Sequence, residues 1–327
     1  MKLQRKLLEI LSDGCFHSGQ QLGESLGVSR SAIWKQIKNF TEQNVEVHAV
    51  RGKGYRLAKP IELLDQSKIL GFMDSAAHPL LGKLEIHQVI DSTNRYLMLK
   101  ANTGMPSGYA CFAESQQAGK GRQGRPWVSP YARNIYVSLL WRFALGPEAL
   151  SGLSLVTGIA VMHTLDQLGA TGIGLKWPND VVWNDAKLAG ILLEVVGETN
   201  GACAVVIGIG LNIDMSEREG VRIDQSWTDL NTVLRTTVSR NRVAGLLLSN
   251  LLLVLSDFER NGVEKYLPQW GERDAYRRKK VSVNVAGKIL TGISQGIDAQ
   301  GALLLECNGN LHSILSGEVS LRSAEKS

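Results

Sequence analysis

The chain has 327 residues, 44% hydrophobic and 20% charged, a composition that reads as soluble and globular with two or three domains. The most apolar run, 245–258, is broken by Ser249, Asn250, Ser256 and Asp257, so a buried helix is expected there rather than a membrane span. The N-terminal basic residues precede a short apolar stretch that contains Glu9 and lacks a small-residue cleavage site, so no signal peptide and a cytoplasmic protein are expected.

Cys15, Cys111, Cys203 and Cys307 lie far apart with no Cys-x-x-Cys pair, and the six histidines are scattered, so no structural metal is expected. Charge is uneven. Residues 1–59 carry ten Lys or Arg against five Asp or Glu, while the remainder balances at 26 against 26. The whole net charge of +5 therefore sits in the first fifth of the chain and points to a polyanion partner there, chance clustering of surface lysines being the alternative.

Leu3, Leu7, Leu8 and Leu11 recur at helical spacing until Ser12-Asp13-Gly14, which predicts a first helix. In the stretch from Ser18 to Ile37, Gly27 separates two short amphipathic segments at helix-turn-helix spacing. Ser29 is placed to cap the second, whose Ile33, Ile37 and Phe40 face inward while Arg30, Ser31, Trp34, Lys35 and Lys38 face outward. That outward set can donate to base edges and phosphates, and the helix N-terminus itself favours a phosphate oxygen; a solvated face on a plain helical hairpin has the same pattern. Next, Val45 to Val50 alternates, Arg51-Gly52-Lys53-Gly54 turns and Tyr55-Arg56-Leu57 returns, a hairpin with a basic tip that resembles a wing and places Lys53 to meet phosphate. Pro60 opens a short linker.

Helices and strands then alternate to about Trp270, which predicts an α/β or α+β catalytic core. Between Gly119 and Trp127, three glycines alternate with Lys120, Arg122 and Arg125, a loop able to close around phosphate or carboxylate, although a disordered surface loop is an alternative. Its Gly119-x-Gly121-x-x-Gly124 is not a dinucleotide fingerprint: Pro126 and Ser129-Pro130 follow where a helix should open, and residues 141–147 lack an acid. Lys176 to Trp183 and Asn184 to Glu194 read as strand, turn and strand. Lys187 lies near Gly190, where a small residue leaves room for a ligand whose carboxylate or phosphorus Lys187 can stabilise; an ordinary surface lysine is the commoner outcome. The glycines of Val205 to Ile213 permit close approach of a flat ligand or, equally, tight sheet packing.

Asp91-Ser-Thr-Asn94, Gly119 to Trp127, Lys176-Trp-Pro-Asn-Asp180 and Lys187-Leu-Ala-Gly-Ile together resemble the motifs of biotin protein ligases, and with the winged helix the resemblance extends to the bacterial type that also represses the biotin operon. It implies a multidomain α+β architecture: a winged helix-turn-helix over 1–65, a central α/β biotin/lipoate ligase-like catalytic domain with a mixed sheet over 66–272, and an SH3-like β-barrel over 273–327. Short alternating segments from Val281 onward agree with a small barrel.

The resemblance further implies that Ser92, Thr93, Asn94 and Gln116 line a biotin pocket and bond the ureido group, with Lys120, Gly121 and Arg122 in the closing loop. Ser92 and Thr93 also suit helix N-caps. Lys187 and Arg122 would be catalytic, Lys187 at the biotin carboxylate and reacting phosphate. Arg122, Arg125, Trp127, Lys176, Asn179, Asp180, Asn212, Trp227 and Arg322 would hold ATP or the adenylate, with Mg2+ near Asp180. Trp227 would stack on adenine, although a core tryptophan reads the same way. Lys120 stands where some relatives carry arginine, a point charge in place of a fork.

The implied reaction is adenylation of biotin to biotinyl-5'-AMP, then attack by a lysine of a biotin carboxyl carrier protein. Operator DNA and a homodimer promoted by biotinyl-5'-AMP are the other implied partners, and no membrane is. A sensor that binds biotin without chemistry and a lipoate ligase are the competing classes. The glycine-arginine loop and Lys187 argue against the first, the Ser-Thr-Asn segment against the second.

Overall fold

The computed structural model describes residues 2–43, 45–144, 146, 150–197, 202–285, 288–315 and 320–323. The chain begins with helices α1 (Lys2–Leu11), α2 (Gly19–Leu26) and α3 (Arg30–Glu42) and the hairpin β1 (Val47–Val50) and β2 (Gly54–Leu57). Ser18 and Gln21 form a reciprocal capping box at α2, Gly27 ends it with φ 65°, and Ser29 caps α3 by accepting from Ala32 N. Leu7, Leu8, Leu11, Leu22, Ile33, Ile37 and Phe40 form one buried core, as the helical period requires. Ser29, Arg30, Ser31, Trp34, Lys35 and Lys38 are exposed, as is Lys53 in the hairpin turn. The backbone of His17 pairs with Tyr55, which fixes the hairpin beside the helices.

The expected linker is anchored along its length. Ile61, Leu63 and Leu64 are buried, and the Glu62 carboxylate accepts from Ser239 Oγ at 2.8 Å, Arg240 N at 2.5 Å and Asn241 Nδ2 at 2.8 Å. Leu64 N donates to Glu114, whose other oxygen lies 2.8 Å from Arg240 in an ion pair with 5% and 0% side-chain exposure.

After α4 (Gln66–Gly71) come β3 (Lys83–His87), α5 (Thr93–Asn102), β4 (Tyr109–Ala113), β5 (Ile135–Phe143), α6 (Leu153–Gln167), β6 (Ile173–Lys176), β7 (Asp180–Trp183), β8 (Ala186–Gly197) and β9 (Cys203–Leu211). The seven strands form one sheet ordered β3-β4-β5-β9-β8-β7-β6, parallel only between β3 and β4, which is the mixed sheet expected. Short α7 (Glu217–Gly220) and α8 (Leu230–Leu234) precede α9 (Arg240–Asn261) and α10 (Leu267–Arg273). Leu97 and Ala101 of α5 pack on one face of the sheet with Val206 and Leu140; α6 and α9 cover the other with Val205, Ile207 and Leu139. Alternate β9 residues thus serve two cores. The apolar run 245–258 falls within α9, a helix long and apolar enough to cross a membrane but here packed in the interior.

The last strands, β10 (Lys280–Val285), β11 (Lys288–Ile297), β12 (Leu303–Cys307), β13 (Asn310–Ile314) and β14 (Ser320–Ser323), form an antiparallel sheet ordered β13-β12-β11-β10-β14. Among the described residues no pairing joins β13 to β14, so the sheet is open where a closed SH3-like barrel was expected. Val281, Val283, Leu303 and Leu305 belong to the central core, and Trp177 Nε1 donates to Gly301 O at 2.9 Å. The sheet buries its apolar face against the neighbouring domain and has no need to wrap around itself to cover it.

Glu85 on β3 illustrates a pH-linked contribution to stability. Burial opposes its charge, yet hydrogen bonds from Lys83, Tyr96 and Tyr109 outweigh burial and lower its carboxyl from 4.5 to about 2. A carboxyl lowered on folding stabilises the native state above its unfolded value, and that gain is lost as pH falls toward the folded one. A Glu85→Gln variant should be less stable than the parent in urea at pH 7, with the gap shrinking steadily from pH 5 to pH 3. A gap independent of pH would contradict this account.

Candidate active site

A cavity of about 750 Å³ opens over the sheet, between the N-terminus of α5, the 119–127 loop and the β7-β8 hairpin. Its floor is polar and buried. Ser92 caps α5, and Gln116 Oε1 accepts from Thr93 N at 2.8 Å. Asn94 Nδ2 donates to Glu194 at 2.8 Å, and Ser138 Oγ lies 2.5 Å from Asn94 Oδ1 and 2.7 Å from Thr93 Oγ1.

The glycine loop forms a hairpin. Trp127 N donates to Gly119 O, Gly121 N to Arg125 O, and Lys120 pairs with Pro126. A short 3-10 turn, Arg122–Gly124, sits at its tip. No helix follows the three glycines before β5, in agreement with rejecting a dinucleotide fingerprint. Arg122 reaches into the cavity and donates to Asn179 Oδ1 at 3.4 Å. Burial lowers its guanidinium below the ordinary value, while Asp180 nearby favours the charge.

Lys187 Nζ lies 2.7 Å from Oδ1 of Asp180 and 5.4 Å from the Trp127 ring centroid. That carboxylate oxygen is buried and has no aligned hydrogen bond among the described residues. Lys176 Nζ is 3.9 Å from the other oxygen. Three cations around one carboxylate leave the cavity electropositive, suited to a carboxylate and a polyphosphate. Mg2+ takes one or two carboxylates together with substrate phosphates, and Asp180 fits that requirement.

Of the two readings of the glycine strand, close packing is the one seen. Asn94 fills the space where a Cβ on Gly208 would be, Trp127 fills it at Gly210, and at Gly190 a Cβ would meet Lys187 Cε and Trp127 at 3.0 Å. Side chains of the protein itself occupy the room these residues leave.

The cavity gathers Ser92, Thr93, Asn94, Gln116, Lys120, Gly121, Arg122, Arg125, Trp127, Lys176, Asn179, Asp180 and Lys187. Asn212 and Trp227 stand outside its described lining. Asn212 is 4% exposed and donates to Thr228 O and Lys187 O, and the Trp227 indole packs on Gly220. Arg322 lies on β14 opposite Ser282, itself a lining residue, but its side chain is outside the described residues. Sequence reasoning missed Tyr276, Ser282 and Ile289, which come from the last 52 residues, and Ser138 and Glu194 behind the floor. No local motif marks any of them.

A DNA-binding type of helix-turn-helix domain joined to a ligase-type mixed sheet with a cationic cavity defines the class of protein. The HTH domain family matches residues 3–56, the biotin/lipoate A/B protein ligase family 86–212, and the biotin protein ligase C terminal domain 279–322. The chain is 45% identical to the bifunctional ligase/repressor BirA of Escherichia coli and 30% to that of Bacillus subtilis, each across 98% of both chains. Its fold resembles the biotin protein ligase of Aquifex aeolicus solved with biotin and ATP, at TM-score 0.64 and 27% identity over 75% of this chain and all of that one. The chain belongs to the family of bifunctional ligase/repressor BirA proteins.

Proposed function

We propose that this protein is a biotin protein ligase that forms biotinyl-5'-AMP from biotin and ATP, transfers biotin to a lysine of a biotin carboxyl carrier protein, and represses transcription from an operator when the adenylate accumulates. The observation that carries the ligase reading is Lys187 Nζ, held between Asp180 and Trp127 in a cavity whose floor is the Thr93-Asn94-Gln116 network.

In the first step an oxygen of the biotin carboxylate attacks the α-phosphorus of ATP, and pyrophosphate leaves. Ser92, Thr93, Asn94 and Gln116 orient the bicyclic ring; Lys187 bonds the carboxylate and stabilises charge that builds on the phosphoryl oxygens. Arg122, Arg125, Lys120 and Lys176 neutralise phosphate, and Gly121 lets the loop backbone approach closely. Asn179 is already bonded to Arg122 and Ile191 O, so it holds the arginine against the β6-β7 turn. Mg2+ carried with ATP would shield charge on the phosphates beside Asp180.

In the second step the acceptor's amine attacks the anhydride carbonyl and AMP leaves. Trp127 and the loop exclude water from the anhydride. Asn212 contributes through the Lys187 carbonyl, and Trp227 and Arg322 through segments bordering the cavity.

The test is intact-mass analysis of a carrier domain incubated with the protein, biotin and Mg-ATP. A gain of one biotin supports the reading. Loading of lipoate in preference, or no modification, sinks it.

For the repressor, α3 enters a major groove with Arg30, Ser31, Trp34, Lys35 and Lys38 toward the DNA, Ser29 at its N-terminus and Lys53 on a flanking phosphate. Lys38→Ala should weaken binding about equally across DNA sequences and reduce the slope of log affinity against log salt by about 1. A sequence-selective loss with an unchanged slope would assign Lys38 to a base instead. Homodimerisation promoted by biotinyl-5'-AMP would present two such helices to a two-fold site in the cytoplasm, and sedimentation with and without the adenylate measures it.

A further inference from the structure

The outward face of α3 carries one side chain that phosphate binding does not explain. Ser31, Trp34, Lys35 and Lys38 are exposed on the side turned away from the buried Ile33, Ile37 and Phe40. Among them only Trp34 is large and apolar, and it is 58% exposed. Neither the core of the winged helix nor the partly buried residues packed on that core include it, so the fold does not need the ring there. The indole walls one side of a shallow hollow of about 520 Å³, which Ser31, Lys35, Lys38 and Asn39 help to complete.

Charge complementarity names what covers this face. Arg30 and Lys38 lie one turn before and one turn after Trp34 on the same stripe of the helix, and Lys35 stands beside it. Glu42, at the end of α3, is the single acidic residue of the helix. The ring therefore sits among cations suited to a phosphate backbone, on the helix read above as entering a major groove. Such cations hold any sequence alike. An indole does not: the major groove offers donors and acceptors at every base pair but a single apolar group, the C5 methyl of thymine. Against that methyl the ring sheds water from both surfaces, and against a polar base edge it covers groups that a flat apolar face leaves unbonded.

We infer that Trp34 is a specificity-determining residue of the repressor: its indole packs on the C5 methyl of a thymine in the major groove, so the preferred site carries thymine at that position. The inference rests on the repressor reading and deepens it from contact with DNA to the chemistry of one base. Arg30, Lys35 and Lys38 supply affinity that is indifferent to sequence, and the ring supplies a choice among sequences.

The test selects duplexes from a random double-stranded DNA pool with the full-length protein and biotinyl-5'-AMP, then rebuilds the best-bound duplex with deoxyuridine in place of each thymine in turn. Deoxyuridine pairs as thymine does and lacks only the C5 methyl. The expected result is a loss of wild-type affinity of about three- to tenfold at one thymine in each half-site, the range that one buried methyl supplies. Trp34→Ala binds the thymine and deoxyuridine duplexes equally, and Trp34→Phe, with a smaller apolar ring, stays sensitive at the same thymine. The slope of log affinity against log salt and the melting midpoint are the same in all three proteins, because the indole neutralises no phosphate and supports no core. Wild-type binding indifferent to every deoxyuridine change overturns the inference. So does an alanine variant as sensitive as wild type, or one with a smaller salt slope. Unchanged DNA binding by the alanine variant with altered sedimentation overturns it as well and gives the ring to a contact between copies of the chain. Where alanine abolishes binding, the phenylalanine variant decides, and insensitivity at the wild-type thymine overturns the inference. Absence of any duplex enriched by wild type would instead sink the repressor reading itself.

Discussion

Replacing Lys187 with methionine will slow adenylate formation by two to three orders of magnitude, measured as pyrophosphate exchange at saturating biotin and ATP. Methionine keeps most of the stem that packs beside Trp127 and Gly190 and deletes only the charge. The Lys187 side chain is 17% exposed, in a setting where a preorganised donor acts with little screening, and loss of one such donor typically costs about 10²–10³ in rate. Asp180 keeps Lys176 at 3.9 Å and Arg122 nearby, so the melting midpoint should barely move. Exchange within threefold of wild type would remove Lys187 from the chemistry and reduce it to a structural ion pair.

Arg240→Met should cost about 3–5 kcal/mol of stability in urea denaturation, because it strands the Glu114 carboxylate in an interior where it has no exposure. Arg240 also donates to Asn134 O at 2.8 and 3.2 Å and to Glu62 O at 2.6 Å, so the same change frees three carbonyl or carboxylate acceptors on separate segments. Pairing it with Glu114→Gln should recover most of the loss. The amide keeps an oxygen for Leu64 N, 2.6 Å away, and removes the uncompensated charge. A single-variant loss below 1 kcal/mol, or no recovery in the double variant, would show that the Arg240–Glu114 pair does not hold the linker, leaving its apolar residues and the Glu62 carboxylate to do so.

Much of the site was legible in the sequence because it sits in short contiguous motifs. The capping Ser29, the α3 faces and the basic hairpin tip follow from helical period and turn chemistry within a few residues. Lys187 and Gly190 were placed together by strand alternation, and the structure keeps them in contact. The role of the glycines was not legible: the same Gly208 and Gly210 admit a ligand or a side chain, and only the position of α5 and the loop decides in favour of Asn94 and Trp127. The barrel expectation failed for a related reason. The alternating pattern specifies that one face of a strand is buried, not what buries it, and here the central domain does.

The sequence by itself determined the local elements, the cationic loop and the segregation of charge into the first 59 residues, since each depends on neighbours a few positions apart. Only the tertiary structure decided which buried polar groups meet. Arg240 lies 126 residues from Glu114, and Asn94 lies 44 from Ser138 and 100 from Glu194. A buried donor must find an acceptor, but a local pattern does not encode which distant segment supplies it; the strand order of the sheet and the docking of α5 and α9 on its faces do.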